Sequence, residues 1–418
     1  MKVFKFGGAS VKTASAVKNV AGILKSEQPE EIIVVISAMG KTTNALEDLV
    51  DAYFHGKPGT RELCENIKTF HFEILTELFP TPNWVFQEVH TVFEDLYKKL
   101  QTRPSANYDY EYDQIVSLGE IVSTIIVSGY LKNTGCAAEW LDARQLIRTD
   151  RMFREGKVDW NITLELIQRE LSKPEYQGKT LVTQGFIGHT PENQTTTLGR
   201  EGSDYTAGIL AWCMDAESVT IWKDVPGMLN ADPKWFDNTV RLPHISYKEA
   251  IELSYYGATV IHPKTIKPLQ NKNIPLYVRS FVSPSEPGTG INDDASQDHL
   301  IPSFIFKINQ LLISISPKDF SFVVEENLRD IFDTFSKSGV KINLMQNSAL
   351  DFSVVVDESP KARTLIEELR NSYKVLFNEN QELVTIRHYD QQTIDRVLEG
   401  KKVLVEQRTR QTLRMVIN

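Results

Sequence analysis

Cysteine is scarce in this sequence and badly spaced for structural work. Cys64, Cys136 and Cys213 are odd in number, far apart and without a C-x-x-C spacing, which argues against a disulfide framework or a structural zinc site. They read as small buried hydrophobes in a reducing compartment. Positive charge is also in deficit: 46 lysines and arginines face 55 acids, a formal net charge of −9, and no run of charge builds a basic face. That disfavours nucleic-acid binding, and a small anionic substrate would need a local positive pocket. No apolar run approaches the ~18 residues of a membrane span, and "KVFKFGG" at the start lacks the basic-then-apolar layout of a signal peptide. A cytoplasmic protein with no membrane partner is expected. The histidines do not converge: His244 and His262 each adjoin a proline, and neither has a second histidine at ligand spacing. No protein metal site and no Ser-His-Asp or Cys-His nucleophile is expected.

What is present is an alternation of strand-like and helix-like segments over the first two-thirds. "KVFKF" (2–6) precedes a helical stretch over 14–27, and "EIIVVIS" (31–37) has the continuous apolarity of a strand buried on both faces. Three helices are predicted at about 42–55, 60–79 and 84–101, and a tyrosine-rich loop, "SANYDYEYD", leads into another over 112–132. Strand signals return at 137–141, 179–188, 217–222 and 274–281. Such alternation predicts an α/β domain with a mainly parallel sheet, whose ligands sit beyond the carboxyl ends of the strands. The Ser-, Pro-, Gly- and Asp-rich stretch from 283 to 299 is the best linker candidate. After it a β-α-β-β-α-β order appears, the ferredoxin-like signature, followed by a shorter segment that reads as a trimmed second copy.

Two glycine-containing turns carry the candidate chemistry. "TTTLGREGSDYTA" (195–207) looks built to hold an anion, yet no lysine follows at the Walker spacing. "KFGG" (5–8) could supply that charge: Lys5 ends a strand, and Gly7 and Gly8 leave their N–H groups open to a phosphate, although a purely structural tight turn explains a glycine pair equally well. Arg200 can grip a carboxylate bidentately. Asp204 is either a first-turn acid or capping residue of a helix or a functional group. Glu120, in "SLGEIVS", is an acid on an apolar helix face and must meet a cation, either in a buried salt bridge or as a substrate ammonium. Ser37 and Thr43 could give hydroxyls to a substrate carboxylate or simply cap the strand-to-helix loop. "WKDVPGMLNADPK" (222–234) is a nucleotide-binding loop or a charged surface loop, with Lys223, Asp224 and Lys234 as its charges.

"KFGGAS", "SLGEIVS", "TQGFIG", "LGREGSDYTA", "WKDVPGMLNADPK" and "YGATVIHPKT" follow one another in an order and spacing that resemble the aspartate kinases of the amino-acid kinase superfamily. The resemblance is strong over residues 2–282. It implies a carbamate kinase-like αβα sandwich over 1–282, a linker at 283–300, and over 301–418 a region that looks like paired ACT regulatory domains, the second shortened. The implied reaction is transfer of the γ-phosphoryl of ATP, with Mg2+, to the side-chain carboxylate of L-aspartate, the entry step to lysine, threonine and methionine. Such transfer needs mainly positioning and charge neutralisation. Carried over, Lys5 stabilises the transferring phosphoryl and Asp204 orients Lys5. Gly7, Gly8, Ser10, Lys223, Asp224, Leu229, Lys234 and Thr259 belong to the nucleotide side. Glu120 meets the aspartate ammonium and Arg200 a carboxylate, with Ser37, Thr43, Ser203 and Phe186 completing that pocket. A homodimer through the ACT-like region and an amino-acid effector are also implied.

Some positions depart from the family pattern. Ala9 replaces a threonine, Lys223 a threonine, Lys234 an arginine and Thr259 a lysine, so positive charge on the nucleotide side is moved. Asn343 and Ala349 stand where lysine-sensitive members carry acids, which predicts weak or absent inhibition by lysine. Glutamate 5-kinase, acetylglutamate kinase and uridylate kinase share the sheet and glycine loops but not this combination. An inactive kinase fold kept as an amino-acid-binding regulatory subunit is the competing class. With the chain ending at Asn418, no fused homoserine dehydrogenase is expected.

Overall fold

The computed structural model describes residues 1–418 except 28–30, 237, 259–260 and 320. The chain forms two compact units. The first comprises Met1–Met228, Arg241–Ile251 and Val260–Ala295, and the second Leu229–Val240, Glu252–Thr259 and Ser296–Asn418. Thus part of the expected nucleotide loop, including Leu229 and Lys234, clusters with the C-terminal region.

In the first unit the elements are β1 (Lys2–Phe6), α1 (Ala14–Ser26), β2 (Ile32–Ile36), α2 (Thr42–Phe54), α3 (Thr60–Leu78), α4 (Trp84–Leu100), α5 (Tyr108–Val116), α6 (Leu118–Asn133), β3 (Ala138–Leu141), α7 (Trp160–Leu171), β4 (Thr180–Gln184), β5 (Ile187–His189), β6 (Thr195–Thr197), α8 (Gly202–Cys213), β7 (Ser218–Lys223), β8 (His244–Ser246), the start of α9 (Tyr247–Tyr256), whose residues from Glu252 on cluster with the second unit, α10 (Pro263–Asn271), β9 (Leu276–Ser280) and β10 (Thr289–Asn292). Eight of the strands form one sheet in the order β3-β4-β2-β1-β7-β9-β10-β8. All its pairings are parallel except β9 with β10. β1 lies centrally between β2 and β7, which explains why these three strands are buried almost throughout. Phe6 and Trp222 stack across β1 and β7 with ring centroids 5.8 Å apart.

Several boundaries differ from the sequence reading, each for a local reason. The tyrosine-rich stretch is not a loop: Asn107 caps a helix there by accepting from the N–H groups of Asp109 and Tyr110, so α5 starts at Tyr108. The run at 179–188 is two strands. It breaks at Gly185 and Phe186, the latter with φ +71°, and β5 turns away to pair with β6. The linker candidate contains β10, which hydrogen-bonds to β9 and β8 inside the sheet. The segment Tyr108–Asn133 is in fact long and apolar enough to cross a membrane, but its apolar stretch is mostly buried within the protein. α6 is apolar all round because it is a core helix.

The second unit contains β11 (Ser303–Pro317), α11 (Glu325–Ser338), β12 (Ile342–Asn347), β13 (Phe352–Asp357), α12 (Pro360–Arg370), β14 (Tyr373–Arg387), α13 (Gln391–Leu398), β15 (Val403–Arg408) and β16 (Thr412–Ile417). They form one antiparallel sheet, β12-β13-β11-β14-β16-β15. The β-α-β-β-α-β order predicted from sequence is present, and the end of β14 with α13, β15 and β16 stands where the trimmed second copy is expected. The two copies share β11 and β14, each 15 residues long. Where one copy passes into the other the register slips, and Asn309 and Asn380 take left-handed φ of +54° and +55°.

Helices α4 and α6 approach closely because Gly129 has no side chain. A Cβ there would lie 2.4 Å from a Val85 methyl. Gly129→Ala is therefore expected to lower stability by about 1–3 kcal/mol through overpacking, with part of the loss recovered in Val85→Ala/Gly129→Ala, as measured by urea denaturation.

Candidate active site

Beyond the carboxyl ends of β1, β2 and β7 the first unit opens into a cavity of about 710 Å³. It brings together Lys5, Ser37, Thr43, Glu120, Phe186, Arg200, Ser203, Asp204 and Lys223, nine positions anticipated from sequence.

Its floor is an ion-paired cluster. Lys5 Nζ lies 2.7 Å from Asp204 Oδ1, and Lys223 Nζ lies 3.5 Å from Asp204 Oδ2. Burial alone would raise the Asp204 pKa, but the charges of Lys5 and then Lys223 outweigh it and hold the carboxyl below its usual range. Asp204 lies in the first turn of α8, where its charge also meets the positive end of the helix. Local glycines permit this approach. A Cβ on Gly185 would fall 2.4 Å from that of Ser203, one on Gly202 would meet the Phe186 ring at 2.7 Å, and one on Gly7 would lie 3.3 Å from Lys5 Nζ. Gly8 is packed more tightly than Gly7, 2.7 Å from the Ala38 carbonyl by the same measure.

Glu120 is the anomaly in the cavity wall. It is 3% exposed; one oxygen accepts from the Ala38 N–H at 3.3 Å, and the other has no protein partner. Burial pushes its pKa up to about 8, with the Ala38 hydrogen bond and Lys5 only partly opposing the shift. Of the two readings left open by sequence, a protein salt bridge is not formed among the described residues. An unsatisfied buried carboxylate lining a cavity is suited to an incoming cation.

Other expected positions lie outside the cavity lining. Gly7, Gly8 and Ser10 form and follow the turn after β1; Ser10 is buried, and its hydroxyl has no protein partner. Asp224 follows β7 without lining the cavity, Leu229 and Lys234 belong to the second unit, and Thr259 lies outside the described residues. The cavity also contains residues the motifs did not reveal: Glu47, Asp109, Tyr112, Arg154 and Glu155. They come from α2, α5 and the loop before α7, whose convergence depends on tertiary packing. Tyr112 donates to Glu47 at 2.5 Å, and Arg154 lies over the Tyr112 ring, 4.3 Å from its centroid.

Residues 1–280 match the amino acid kinase family. The chain is 31% identical to the lysine-sensitive aspartokinase 3 of Escherichia coli across 87% of its own length and 79% of that protein. The chain belongs to the aspartokinases of the amino acid kinase family. A chloroplastic aspartokinase 1 of Arabidopsis thaliana is 30% identical over 88% of the chain and 65% of the relative. The crystal structure of E. coli aspartokinase III in complex with aspartate and ADP superposes with a TM-score of 0.81 at 28% identity, covering all of this chain and 96% of that one.

Glu120 provides a test that needs no substrate. Its folded pKa is raised from 4.5 to about 8, so its contribution to stability is fully present below about pH 4.5 and is lost as pH rises towards 8. Glu120→Gln, which does not ionise, is expected to gain on wild type by up to about 1.4 kcal/mol per pH unit across that window and no further above it. Thermal denaturation from pH 5 to pH 9 reads the gap; a constant difference would show that the carboxyl titrates normally.

Proposed function

We infer that this chain is an aspartate kinase that transfers the γ-phosphoryl of ATP to the side-chain carboxylate of L-aspartate, giving 4-phospho-L-aspartate for amino-acid biosynthesis. The observation that carries the reading is the placing of a buried carboxylate lacking a partner, Glu120, in the same cavity as the Lys5–Asp204–Lys223 cluster. Glu120 suits an ammonium, and the charges of Lys5 and Lys223 suit a transferring phosphoryl. The E. coli relative with aspartate and ADP supports the same pairing of ligands.

In this reading an oxygen of the aspartate side chain attacks the γ-phosphorus, a P–O bond forms, and the bond to the departing ADP breaks. Lys5 neutralises the charge spread over the transferring phosphoryl, and Asp204 fixes Lys5 in position. Gly7 and Gly8 offer backbone N–H groups to the phosphates, with Ser10, Lys223 and Asp224 on the nucleotide side. Glu120 receives the ammonium and Arg200 a carboxylate, while Ser37, Thr43, Ser203 and Phe186 shape the acceptor pocket. Among the described residues no three His, Cys, Asp or Glu side chains cluster as a metal cage. That donor set fits Mg2+ carried on the nucleotide phosphates, where it would offset their charge. The intact Lys5–Asp204 pair favours an enzyme over an inactive regulatory subunit. A cytoplasmic setting fits the three free cysteines, and the second unit, with its two-copy sheet, is the expected place of homodimerisation.

The decisive assay traps the acyl phosphate as a hydroxamate. Wild type is expected to form it with aspartate and not with glutamate, and Lys5→Ala to lose at least about 10³-fold in kcat, since that lysine's charge acts on the transition state. Hydroxamate formation by Lys5→Ala at the wild-type rate would refute the assignment.

Regulation by lysine follows a separate argument. Asn343 Oδ1 already accepts from Lys307 Nζ at 2.8 Å, and its amide group donates to Gln310 and Asp357 at 2.8 and 3.0 Å. A second ammonium arriving there would meet a resident cation. Lysine is therefore expected to inhibit weakly or not at all, because like charges brought together in a site oppose binding; strong inhibition of the purified enzyme would overturn this.

A further inference from the structure

The roles assigned above place the reacting carboxylate of aspartate at Lys5 and its ammonium at Glu120. The α-carboxylate must then face the remaining wall of the cavity. Two arginines line the cavity, Arg200 and Arg154, and the motifs pointed only to the first. Arg154 belongs to a loop closed at its base by Asp150, which accepts from the N–H groups of Met152 and Lys157, both at 3.0 Å. The loop is stitched to β6 through the Gly156 N–H and the Thr197 carbonyl at 2.8 Å.

One buried side chain fixes the position of Arg154. Asp113, fully enclosed at 0% exposure, accepts from the Arg154 N–H at 2.9 Å, the Thr197 N–H at 2.9 Å and the Thr197 hydroxyl at 2.7 Å. Arg154 is held at φ +68°, a conformation costly for any residue with a Cβ. Its guanidinium is only loosely engaged: it rests on the Tyr112 ring and meets Asp109 at 3.4 Å in a pair whose members are 46% and 55% exposed. Such an exposed pair contributes little, so Asp109 is readily exchanged for a better carboxylate. Tyr112, anchored to Glu47, provides a flat face on which the guanidinium is already aligned.

We propose that Arg154 is a specificity-determining residue of the acceptor site that binds the α-carboxylate of aspartate together with Arg200, and that Asp113 is the residue positioning it. The proposal rests on the aspartate kinase reading, and its test separates the two. The strained backbone makes the test sharper than a simple loss-of-function variant. A glycine at 154 relieves the left-handed conformation, so Arg154→Gly is expected to melt at the same temperature as wild type or higher.

The experiment compares wild type, Arg154→Gly and Arg154→Gln with two acceptors: aspartate, and its α-amide, which keeps the reacting carboxylate and the ammonium but has no α-carboxylate. Both variants are expected to raise KM for aspartate by ten- to a hundredfold with kcat changed less than threefold, and to leave kcat/KM for the α-amide within twofold. Calorimetric titration of both acceptors reads the same contrast in Kd without turnover. Wild type that binds aspartate but makes no acyl phosphate would refute the kinase reading while leaving the Kd contrast to judge Arg154. Equal weakening of aspartate and its α-amide, or no weakening of aspartate, overturns the assignment of Arg154. A lower melting temperature for Arg154→Gly, with both acceptors affected alike, would assign the residue a structural role instead.

Discussion

The contact between Lys5 and Asp204 is the constraint on which the site depends. Both side chains are nearly inaccessible, and a buried charge is tolerated only when closely paired. Their meeting joins the central strand β1 to the first turn of α8, two elements about 200 positions apart in sequence. Removing Asp204 would leave the Lys5 charge buried without its carboxylate, a loss of about 3–5 kcal/mol in comparable pairs, whereas on removal of Lys5 the carboxylate keeps Lys223 at 3.5 Å. The pair therefore couples catalytic charge placement to the integrity of the sheet. The glycines around it follow from the same constraint: Gly185 and Gly202 let the start of α8 descend onto the end of β4, and Gly7 leaves room for the lysine head group.

Backbone strain is concentrated around this centre. Among the described residues four that are neither Gly, Asn nor Asp adopt left-handed φ: Arg154, Phe186, Glu201 and His388. The first three line the same cavity. Each costs on the order of 1–3 kcal/mol where a Cβ opposes the conformation. The cost is tolerated because surrounding contacts over-determine the backbone: Asp113 fixes Arg154, the Thr206 hydroxyl accepts from the Phe186 N–H at 3.0 Å, and Glu201 is enclosed by the turn leading into α8. Strain and an unsatisfied carboxylate in one cavity are both departures from the most stable arrangement, and both point to ligand binding.

The parts of this site legible in sequence were those carried by short motifs at strand ends. Lys5, Glu120, Arg200 and Asp204 stood out as a charge beside glycines or within an apolar helix, each with a structural alternative that only several motifs in order outweighed. Arg154, Asp113 and Tyr112 did not. Their neighbours in sequence are ordinary, and their meaning arises only when α5 packs against the loop before α7. The same distinction holds for the fold. The period of β1, β2 and β7 is visible as continuous apolarity, whereas the break between β4 and β5 turns on the backbone of a single residue, Phe186. The linker reading failed at β10 because four residues with alternating burial, two of them Thr289 and Ile291, carry too little apolar signal to stand out from polar surroundings.

The second unit shows how sequence order can suggest a division that hydrogen bonding does not respect. Two copies of one supersecondary pattern are present, yet β11 and β14 run through both, so the copies share a single ladder. The irregularities at Asn309 and Asn380 change the register without ending either strand. Apolar residues on the two halves accordingly form separate clusters, one beneath α11 and α12 and another beneath α13, on strands that are covalently continuous. A displacement of one half along β11 must either break ladder bonds in the other half or be absorbed at the two asparagines.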